Sequence, residues 1–523
     1  MRRAFVVLSL SALSVSILTC KRRSIPSPEI VYPFEDGLGV FCTAPAGTEL
    51  RYVVDWGNGL VDTTGLSYAA CDTALVPVPG AVARDAEVRA KAFAAEDPTL
   101  ESDWASNRIR VATPGMALWY WVTPNEDSAP PMTAPVIGYL EGRELVYFGS
   151  DDEYMKVYGI DVETGATVVS GWGVVPEEGY EWISHPAWNP RTGHLLIPKE
   201  EGEFYAFSRN LFSVWHYPGK TNDEDLTFTE WGTAAVCGND IYATDIDTIV
   251  RGGDTIKNVT KFYKMRDSTH MPVNPPFTVL GVQEVLGAPA IDDAGNVHIV
   301  TDSGLVYKLN PNLEVIWRTA PEPGQRDLCG PVLGEDGSVY IGSGSGRVSA
   351  LDPDGNLQWF TRLAVDDCWI VVGQTKLYLT AGLSRLYCLD RANGSVFWYV
   401  SLGDTGFSRY PALAANGFIY CQDDEDKVYC VDTRDGSVRW VTDCRAFYPG
   451  RASTPRYSAL KFPLPSPTIT SNGDVIVAGP DALYCLNGYR GGPLDPEAPW
   501  PKWQRDIHNT GCMPQALGQP SAY

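Results

Sequence analysis

Short runs in which apolar and polar residues alternate fill the chain from about residue 134 onward. Alternation with a period of two is typical of β-strands that bury one face. Each run is bounded by a turn that contains glycine or asparagine, residues that supply the positive φ of tight hairpins. The pattern predicts an all-β protein built from short strands joined by hairpins.

The runs form a repeat. A strand begins near a proline and a small residue, and a second strand ends in small or acidic residues. A third strand ends in Leu-Asp before a glycine turn, and a tryptophan follows four residues after the glycine. Two clear copies are PVLGEDGSVYIGSGSGRVSALDPDGNLQW at 331–359 and PALAANGFIYCQDDEDKVYCVDTRDGSVRW at 411–440. Copies recur about every 40 residues, the length of one four-stranded propeller blade.

Eight copies can be placed along the chain. Seven begin near residues 134, 185, 234, 288, 331, 411 and 466, and the remaining one ends at Trp398. The last copy lacks its own Gly-x-x-x-Trp strand, whereas Gly115 and Trp119 have that spacing ahead of the first copy. We therefore expect the strand at Trp119 to complete the eighth blade, which removes free sheet edges. The predicted architecture is an eight-bladed β-propeller preceded by a small Ig-like β-sandwich.

The repeated residue types have structural reasons. The aspartate before each glycine turn can accept hydrogen bonds from nearby amides, and the tryptophan can fill the space between neighbouring blades. The predicted structural repeat residues are Asp161, Asp352, Asp390, Asp432, Gly355, Gly394, Gly436, Trp119, Trp317, Trp359, Trp398 and Trp440. None of them is expected to hold a cofactor.

The A-L-D-x-x-x-G-x-x-x-W repeat resembles the PQQ-like, or quinoprotein-like, propeller family. The segment PWPKWQRDIHNTG at 499–511 resembles one often seen beside such propellers. The resemblance covers about residues 115–512, and it is specific for the fold and weak for function. It implies a propeller of non-catalytic type, similar in architecture to the propeller lipoproteins of outer-membrane barrel assembly. That similarity is partial, because those lipoproteins lack a sandwich in front of the propeller.

Residues 27–112 differ from the repeats. The strand at 52–55 runs into a Trp-Gly-Asn-Gly turn, residues 87–93 alternate, and a final strand is predicted over 108–111. Short strands over this length predict a small sandwich, similar to a fibronectin type III or PKD-type module. Cys42 and Cys71 are its candidate disulfide, although connectivity cannot be deduced from sequence.

The N-terminus has the features of a secretory signal. Arg2 and Arg3 precede an apolar run that ends at Thr19 and Cys20. Residues 17–20 resemble a bacterial lipoprotein box, with Thr19 departing from the usual small residue, and Cys20 is the candidate lipidation site. Ordinary cleavage and an uncleaved anchor remain alternatives. The predicted organisation is a signal peptide at 1–19, a tether at 20–26, the sandwich at 27–112, the propeller at 113–512 and a tail at 513–523.

Charge and cysteine usage narrow the chemistry. The net charge of −23 repels phosphate backbones, so no nucleic-acid partner is expected. The sequence has no CxxC pair, and its histidines lack zinc-site spacing, so no catalytic metal is expected. Cys388, Cys430 and Cys485 occupy one repeat position, where small core residues are expected. Cys421 and Cys430 flank one hairpin and could bridge it.

Two acidic hairpins, at 151–153 and 423–426, have two interpretations. Several carboxylates could hold calcium, but a solvated hairpin tip is the favoured interpretation.

Two classes of function follow. The favoured one is an exported, lipid-anchored envelope protein, a monomer that binds other envelope proteins through its propeller without a cofactor, in the periplasm or at the outer membrane or cell surface. The alternative implied by the family is a dehydrogenase that uses PQQ and calcium. Such enzymes commonly carry a vicinal disulfide, which this sequence lacks, and no residue matches their ligands. Binding of carbohydrate or cell-wall polymer through the sandwich is a third option.

Overall fold

The computed structural model describes residues 29–34, 37–41, 49–55, 61–64, 68–69, 74–76, 86–96, 101–109, 114–122, 133–149, 156–171, 185–198, 203–218, 226–228, 234–251, 254–267, 277–279, 285–301, 303–324, 328–365, 368–382, 384–403, 406, 410–447, 466–479, 482–488, 492–502, 504–506 and 508–513. The chain divides into two compact units between Val111 and Ala112. Each unit is all-β in its described part, apart from a 3₁₀ turn at Cys444–Phe447. No helix of this part is long and apolar enough to span a membrane.

The first unit contains two antiparallel sheets. Its strands are β1 (Glu29–Phe34), β2 (Gly37–Phe41), β3 (Glu49–Asp55), β4 (Val61–Thr63), β5 (Tyr68–Ala69), β6 (Ala74–Val76), β7 (Ala86–Ala94) and β8 (Ala105–Ile109). One sheet has the order β1-β2-β6, and the other has the order β4-β3-β7-β8 with β5 also on β3. Leu50, Tyr52 and Val54 alternate along β3 and are fully buried. The predicted strands at 52–55 and 87–93 are therefore present, and the last described strand begins earlier than predicted.

The second unit is built from antiparallel sheets of four or five strands, which we number 1 to 8 in chain order within the described residues. The first strand of the unit is β9 (Ala117–Trp121). Sheet 1 contains β10 (Val136–Leu140), β11 (Arg143–Gly149), β12 (Val157–Asp161) and β13 (Thr167–Gly171). Sheet 2 contains β14 (Ala187–Asn189), β15 (His194–Pro198), β16 (Glu203–Phe207) and β17 (Ser213–Pro218). Sheet 3 contains β18 (Leu226–Phe228), β19 (Ala235–Cys237), β20 (Asp240–Arg251), β21 (Asp254–Arg266) and β22 (Phe277–Val279).

The remaining sheets follow the same plan. Sheet 4 contains β23 (Val285–Ile291), β24 (Val297–Thr301), β25 (Val306–Leu309) and β26 (Val315–Thr319). Sheet 5 contains β27 (Leu328–Leu333), β28 (Val339–Ser343), β29 (Arg347–Leu351) and β30 (Leu357–Arg362). Sheet 6 contains β31 (Cys368–Val372), β32 (Lys376–Ala381), β33 (Arg385–Asp390) and β34 (Val396–Ser401). Sheet 7 contains β35 (Ala412–Leu413), β36 (Phe418–Gln422), β37 (Lys427–Asp432) and β38 (Val438–Asp443). Sheet 8 contains β39 (Thr468–Ile469), β40 (Val475–Ala478), β41 (Leu483–Leu486) and β9.

Burial along each sheet follows its strand order. In sheet 5, every residue of β27 and β28 is buried, whereas β30 alternates between exposed and half-buried positions. Sheets 6 and 7 have the same gradient. Inner strands buried on both faces and a half-exposed fourth strand are what a propeller-like stack of sheets requires, because only the outer edge meets water.

The first strands of successive sheets, with β19 taking this place in sheet 3, contact one another from β10 through β14, β19, β23 and β27 to β31. Beyond β31, the rings of Trp369 and Tyr410 lie 5.1 Å apart. Ser466 Oγ donates a hydrogen bond to the carbonyl of Tyr410, and Thr468 Oγ1 donates one to the carbonyl of Pro135, just before β10. These contacts lead back from the last sheet to the first.

The strand β9 completes sheet 8. It pairs with β41 in antiparallel register, with Trp119 opposite Cys485 and Trp121 opposite Leu483. The predicted pairing of the Trp119 strand with the last repeat is therefore confirmed. Because β9 precedes sheet 1 in the chain and β41 ends the repeats, this one sheet joins the two ends of the repeat region.

Candidate functional site

The aspartates of the repeat are turn caps. Oδ1 of Asp161 accepts hydrogen bonds from the amides of Glu163 and Thr164, and Oδ1 of Asp352 accepts them from Asp354 and Asn356. Asp390 and Asp432 accept amide hydrogen bonds from the residues two positions later. Each of these carboxylates therefore caps the turn that follows its own strand.

Each repeat tryptophan packs on the glycine turn of the next sheet. Trp317 lies against Gly355, Trp359 against Gly394, and Trp398 against Gly436. The series continues where the two ends of the repeat region meet, and the pairs there are Trp440 with Gly115 and Trp119 with Gly165. A side chain at any of these glycines would collide with the indole ring. The indole Nε1 of Trp317 also donates to the carbonyl of Pro353 at 2.8 Å.

A small residue lies across from each of these tryptophans in its own sheet. Ala350 pairs with Trp359, Cys388 with Trp398, and Cys430 with Trp440. All three small residues are fully buried, as predicted for this position. Burial raises the pKa of the Cys388 thiol to about 12, so this thiol stays protonated and unreactive near neutral pH.

The predicted bridge between Cys421 and Cys430 is wrong. Both residues are buried thiols, and they belong to different core clusters on the two faces of sheet 7. Cys421 pairs with Tyr429 and Cys430 with Tyr420, so adjacent pairs in the ladder point to opposite faces. The lipidation site Cys20 and the candidate disulfide partners Cys42 and Cys71 lie outside the described residues, as does the acidic hairpin at 151–153.

The acidic hairpin at 423–426 is more buried than a solvated tip. Asp423 is fully buried, and its carboxylate accepts hydrogen bonds from the amides of Glu425 and Lys427 and from the hydroxyl of Tyr429. The Lys427 ammonium binds the Glu425 carboxylate at 2.9 Å. Protein groups therefore neutralise or cap this hairpin. Across the described residues, no group of three or more His, Cys, Asp or Glu side chains is placed to hold a metal ion.

The C-terminal segment, residues 492–513, crosses the first strands of most sheets. Its backbone pairs at Leu494 with Ala414, directly after β35, at Trp500 with β31 and at Cys512 with β23. Between these points, the carbonyl of His508 accepts a hydrogen bond from Trp188, and the carbonyl of Thr510 accepts one from Val236. The segment thus ties sheets 2, 3, 4, 6 and 7 together where their first strands meet.

A buried polar turn shapes the middle of this segment. Oδ1 of Asp506 accepts the amides of His508 and Thr510, and Oδ2 accepts the Thr510 hydroxyl and the Arg505 guanidinium. Lys502 is fully buried and donates from Nζ to Oδ1 of Asn509. Burial lowers the pKa of Lys502 to about 7, because the interior disfavours the ammonium.

Two further contacts fix the end of the segment. Burial also lowers the pKa of His508, whose ring contacts the carbonyl of Ile137 at 2.6 Å. Cys512 forms a disulfide with Cys237 of β19 across a sequence separation of 275 residues. Sequence reasoning missed this pair. The sequence gives one weak signal for this disulfide, which is that neither cysteine lies at the repeat position of Cys388, Cys430 and Cys485.

A cavity of about 420 Å³ lies between the C-terminal segment, β10 of sheet 1 and the turn after β39 of sheet 8. Its walls are mostly apolar and include Tyr139, Ile469, Leu494 and three prolines. The polar groups on its walls belong to Thr470, Ser471, Asp495, Arg505 and Asp506. Sequence analysis had singled out the segment 499–511 but not this cavity, because the three walls are far apart in the chain.

Comparison with known proteins agrees with the repeat analysis. A family model described as outer membrane protein assembly factor BamB matches residues 382–492, from just before β33 to the start of the C-terminal segment beyond β41. The predicted resemblance of the repeats to the PQQ-like family is thereby confirmed over this part of the chain. No curated protein matches the sequence.

Three solved structures are similar in fold. BamB from Moraxella catarrhalis has 12% identity and a TM-score of 0.49, with 71% of this chain and 97% of that chain covered. The computationally designed Ika8 protein has 11% identity and a TM-score of 0.49, with coverage of 68% and 98%. Saccharomyces cerevisiae Sqt1 has 10% identity and a TM-score of 0.49, with coverage of 71% and 99%.

Proposed function

We propose that this chain is an exported, lipid-anchored envelope protein whose eight-bladed propeller is a scaffold that binds other envelope proteins. The observation that carries the proposal is the match of residues 382–492 to the family model of an outer membrane assembly factor. The eight sheets described in the second unit, and the pairing of β9 with β41, support a closed ring of eight blades.

The surface of the ring supports a binding role. The outermost strands carry apolar side chains that are at least two-fifths exposed, and they repeat from sheet to sheet. They are Val315, Ile316, Leu357, Phe360, Val396, Phe397, Tyr399, Val438 and Val441. Apolar groups exposed side by side favour contact with a partner surface, and aromatic residues are enriched in such interfaces.

The experiment that tests the scaffold is co-purification of the tagged full chain from native membranes in mild detergent. We expect outer-membrane assembly components at a fixed stoichiometry, identified by mass spectrometry. The Cys20→Ser variant should lose both incorporation of a labelled fatty acid and membrane recovery. A wild-type chain recovered without companions would overturn the scaffold.

The proposal includes the absence of catalysis by the propeller. PQQ and calcium titrated into the purified protein should leave its tryptophan fluorescence unchanged, and dye-linked dehydrogenase assays should give no turnover. Saturable quenching with calcium-dependent turnover would instead establish the oxidoreductase. We also propose that the first unit is an Ig-like module, which its two antiparallel sheets support.

A further inference from the structure

A lysine and an asparagine of the C-terminal segment meet in the interior. Lys502 and Asn509 are both fully buried, and Nζ of Lys502 lies 2.5 Å from Oδ1 of Asn509. Since a carbonyl bond is about 1.23 Å long, Nζ lies within about 3.7 Å of the side-chain carbonyl carbon Cγ. Reacting atoms that are held about 3–3.5 Å apart are close to the geometry of attack. The folded chain thus places an amine beside an amide carbonyl.

Burial also makes this amine a nucleophile. The interior disfavours the ammonium and lowers the pKa of Lys502 to about 7, so a large part of the amine is uncharged near neutral pH. Only the uncharged amine has the electron pair that attacks a carbonyl carbon, and lysines removed from water act as nucleophiles for this reason. The lysine therefore has the protonation state that the reaction needs.

The amide group of Asn509 is fixed in place. Its Nδ2 donates a hydrogen bond to the carbonyl of Pro186 at 3.1 Å. Its backbone N–H donates to the carbonyl of Asp506 at 3.0 Å, and its φ of 53° lies in the left-handed region that asparagine tolerates. These contacts point the side-chain carbonyl at Lys502. Folding has already supplied the orientation, so the reaction requires little further ordering.

Water is excluded from the pair. The neighbouring side chains Gln504, Asp506 and Thr510 are all buried. An enclosed site prevents hydrolysis of a reactive intermediate, so attack by the amine is favoured over attack by water.

We infer that Lys502 and Asn509 join in an intramolecular isopeptide bond. Nζ attacks Cγ of Asn509 and forms the Nζ–Cγ bond. The Cγ–Nδ2 bond breaks, and Nδ2 leaves as ammonia. One proton passes from Nζ to Nδ2 by way of the Asp506 carboxylate, whose charge acts on the amine. The reaction needs no oxidant, reductant or cofactor.

The bond would close a covalent ring across the turn that holds the C-terminal segment on the propeller. The carbonyls of His508 and Thr510, in and beside this ring, accept hydrogen bonds from Trp188 of sheet 2 and Val236 of sheet 3. The inference does not depend on the scaffold function. A freshly refolded chain still has the amine of Lys502 and the pH dependence of stability that it confers, and the reacted chain has lost both.

Peptide mapping of the purified full chain tests the bond. Trypsin cuts after Arg505, which lies between the two reacting residues, and it cuts after Lys502 only when that side chain is unmodified. We expect the denatured, reduced digest to contain residues 491–505 joined to residues 506–523, lighter by one ammonia than the sum of the two peptides. Fragmentation should locate the link at Lys502 and Asn509. A digest that contains only the separate peptides, even after prolonged incubation of the folded protein, would overturn the inference.

Two variants identify the reacting groups. Lys502→Met removes the amine and Asn509→Ala removes the amide, and each should abolish the joined peptide. Lys427→Met, on the surface of sheet 7, is the matched control and should retain it. Thermal melting checks that the variants fold, and the digest of the wild type decides the inference if one of them does not. Loss of ammonia that persists in Lys502→Met would show that Asn509 cyclises on its own backbone, and the isopeptide bond would then be refuted.

Discussion

Sheets 4 to 7 and sheets 2 to 3 solve the same packing problem in different ways. In the first group, each outer strand presents a tryptophan to a glycine turn in the following sheet, as Trp317 does to Gly355 and Trp359 to Gly394. In the second group, no glycine among the described residues lies against Trp215 in this way. Its Nε1 donates instead to the carboxylate of Asp267, in the turn that ends β21 of sheet 3.

Asp267 is the centre of a buried network between these two sheets. Its fully buried carboxylate also binds Asn189 Nδ2 at 2.7 Å, the Thr192 hydroxyl and His194 Nδ1 at 2.7 Å. All of these partners belong to sheet 2 or its first hairpin. Asp267 therefore links sheets 2 and 3, whereas a tryptophan packed on a glycine turn links each pair of later sheets.

The difference shows what the repeat is for. An indole on a glycine turn is a mostly apolar contact that any two neighbouring sheets can form, so it recurs with the repeat. The network at Asp267 and the disulfide of Cys237 each occur once, and each forms only when all of its residues are present. Where the repeat diverges, in sheets 2 and 3, polar and covalent links are present, and each of them contributes more stability than one indole contact.

Removal of the Asp267 carboxylate should have the largest effect. Asp267→Ala leaves buried donors on Asn189, Thr192 and Trp215 without their acceptor, so the free energy of unfolding should fall by about 3–5 kcal/mol. Urea unfolding followed by tryptophan fluorescence measures this. Asp354→Ala, at an exposed turn of sheet 5, is the control and should change stability little. Equal effects of the two variants would refute a special role for Asp267.

Loss of the Cys237–Cys512 disulfide should rank second. The double variant Cys237→Ala, Cys512→Ala opens a loop of 275 residues and frees the end of the C-terminal segment from sheet 3. We expect a loss of about 2–4 kcal/mol, measured by urea unfolding of the oxidised proteins. Cys388→Ala is the matched control, since sheet 5 already has Ala350 at that position. A reducing agent should lower the free energy of unfolding of the wild type to that of the double variant, and it should leave the value of the double variant unchanged.

The indole contact can be separated from backbone strain at two glycines. Gly355 and Gly142 both have positive φ, of 86° and 79°, but an added Cβ would lie 2.7 Å from Trp317 at the first and in open space at the second. Gly142→Ala should cost about 1–2 kcal/mol for the left-handed backbone alone. Gly355→Ala should cost about 1–3 kcal/mol more, because the tryptophan must move. Equal losses of stability for the two variants in thermal unfolding would show that Trp317 can move aside without an energetic penalty.

The buried lysine of the C-terminal segment should give the smallest effect, as a dependence on pH. Folding lowers the pKa of Lys502 from 10.5 to about 7, so between these values the unfolded chain holds a proton that the folded chain has released. The free energy of unfolding should therefore rise with pH from about 7 to 9, by about 1 kcal/mol per pH unit. Lys502→Met should remove this slope, and Lys427→Met, on the surface of sheet 7, should keep it. A slope that persists in Lys502→Met would assign it to other groups.

Local pattern determined much of this protein. Strand alternation, turn chemistry and the spacing of Asp352, Gly355 and Trp359 depend on neighbours within one repeat, so the strands, the turn caps and the pairing of β9 with the last repeat could be predicted from the sequence. Even that pairing followed from simple counting, because one copy lacked a strand and another segment had one to spare.

Only the tertiary structure decided which distant residues meet. Nothing local to Cys237 indicates Cys512, nothing local to Asp267 indicates Trp215, and the walls of the cavity come from β10, the turn after β39 and the C-terminal segment. Such contacts depend on how the sheets curve back on one another and on where the last residues cross their first strands. The physical reason is that hydrogen bonding and side-chain alternation act over a few residues, whereas burial, ion pairing and cavity shape arise only after distant segments have packed together.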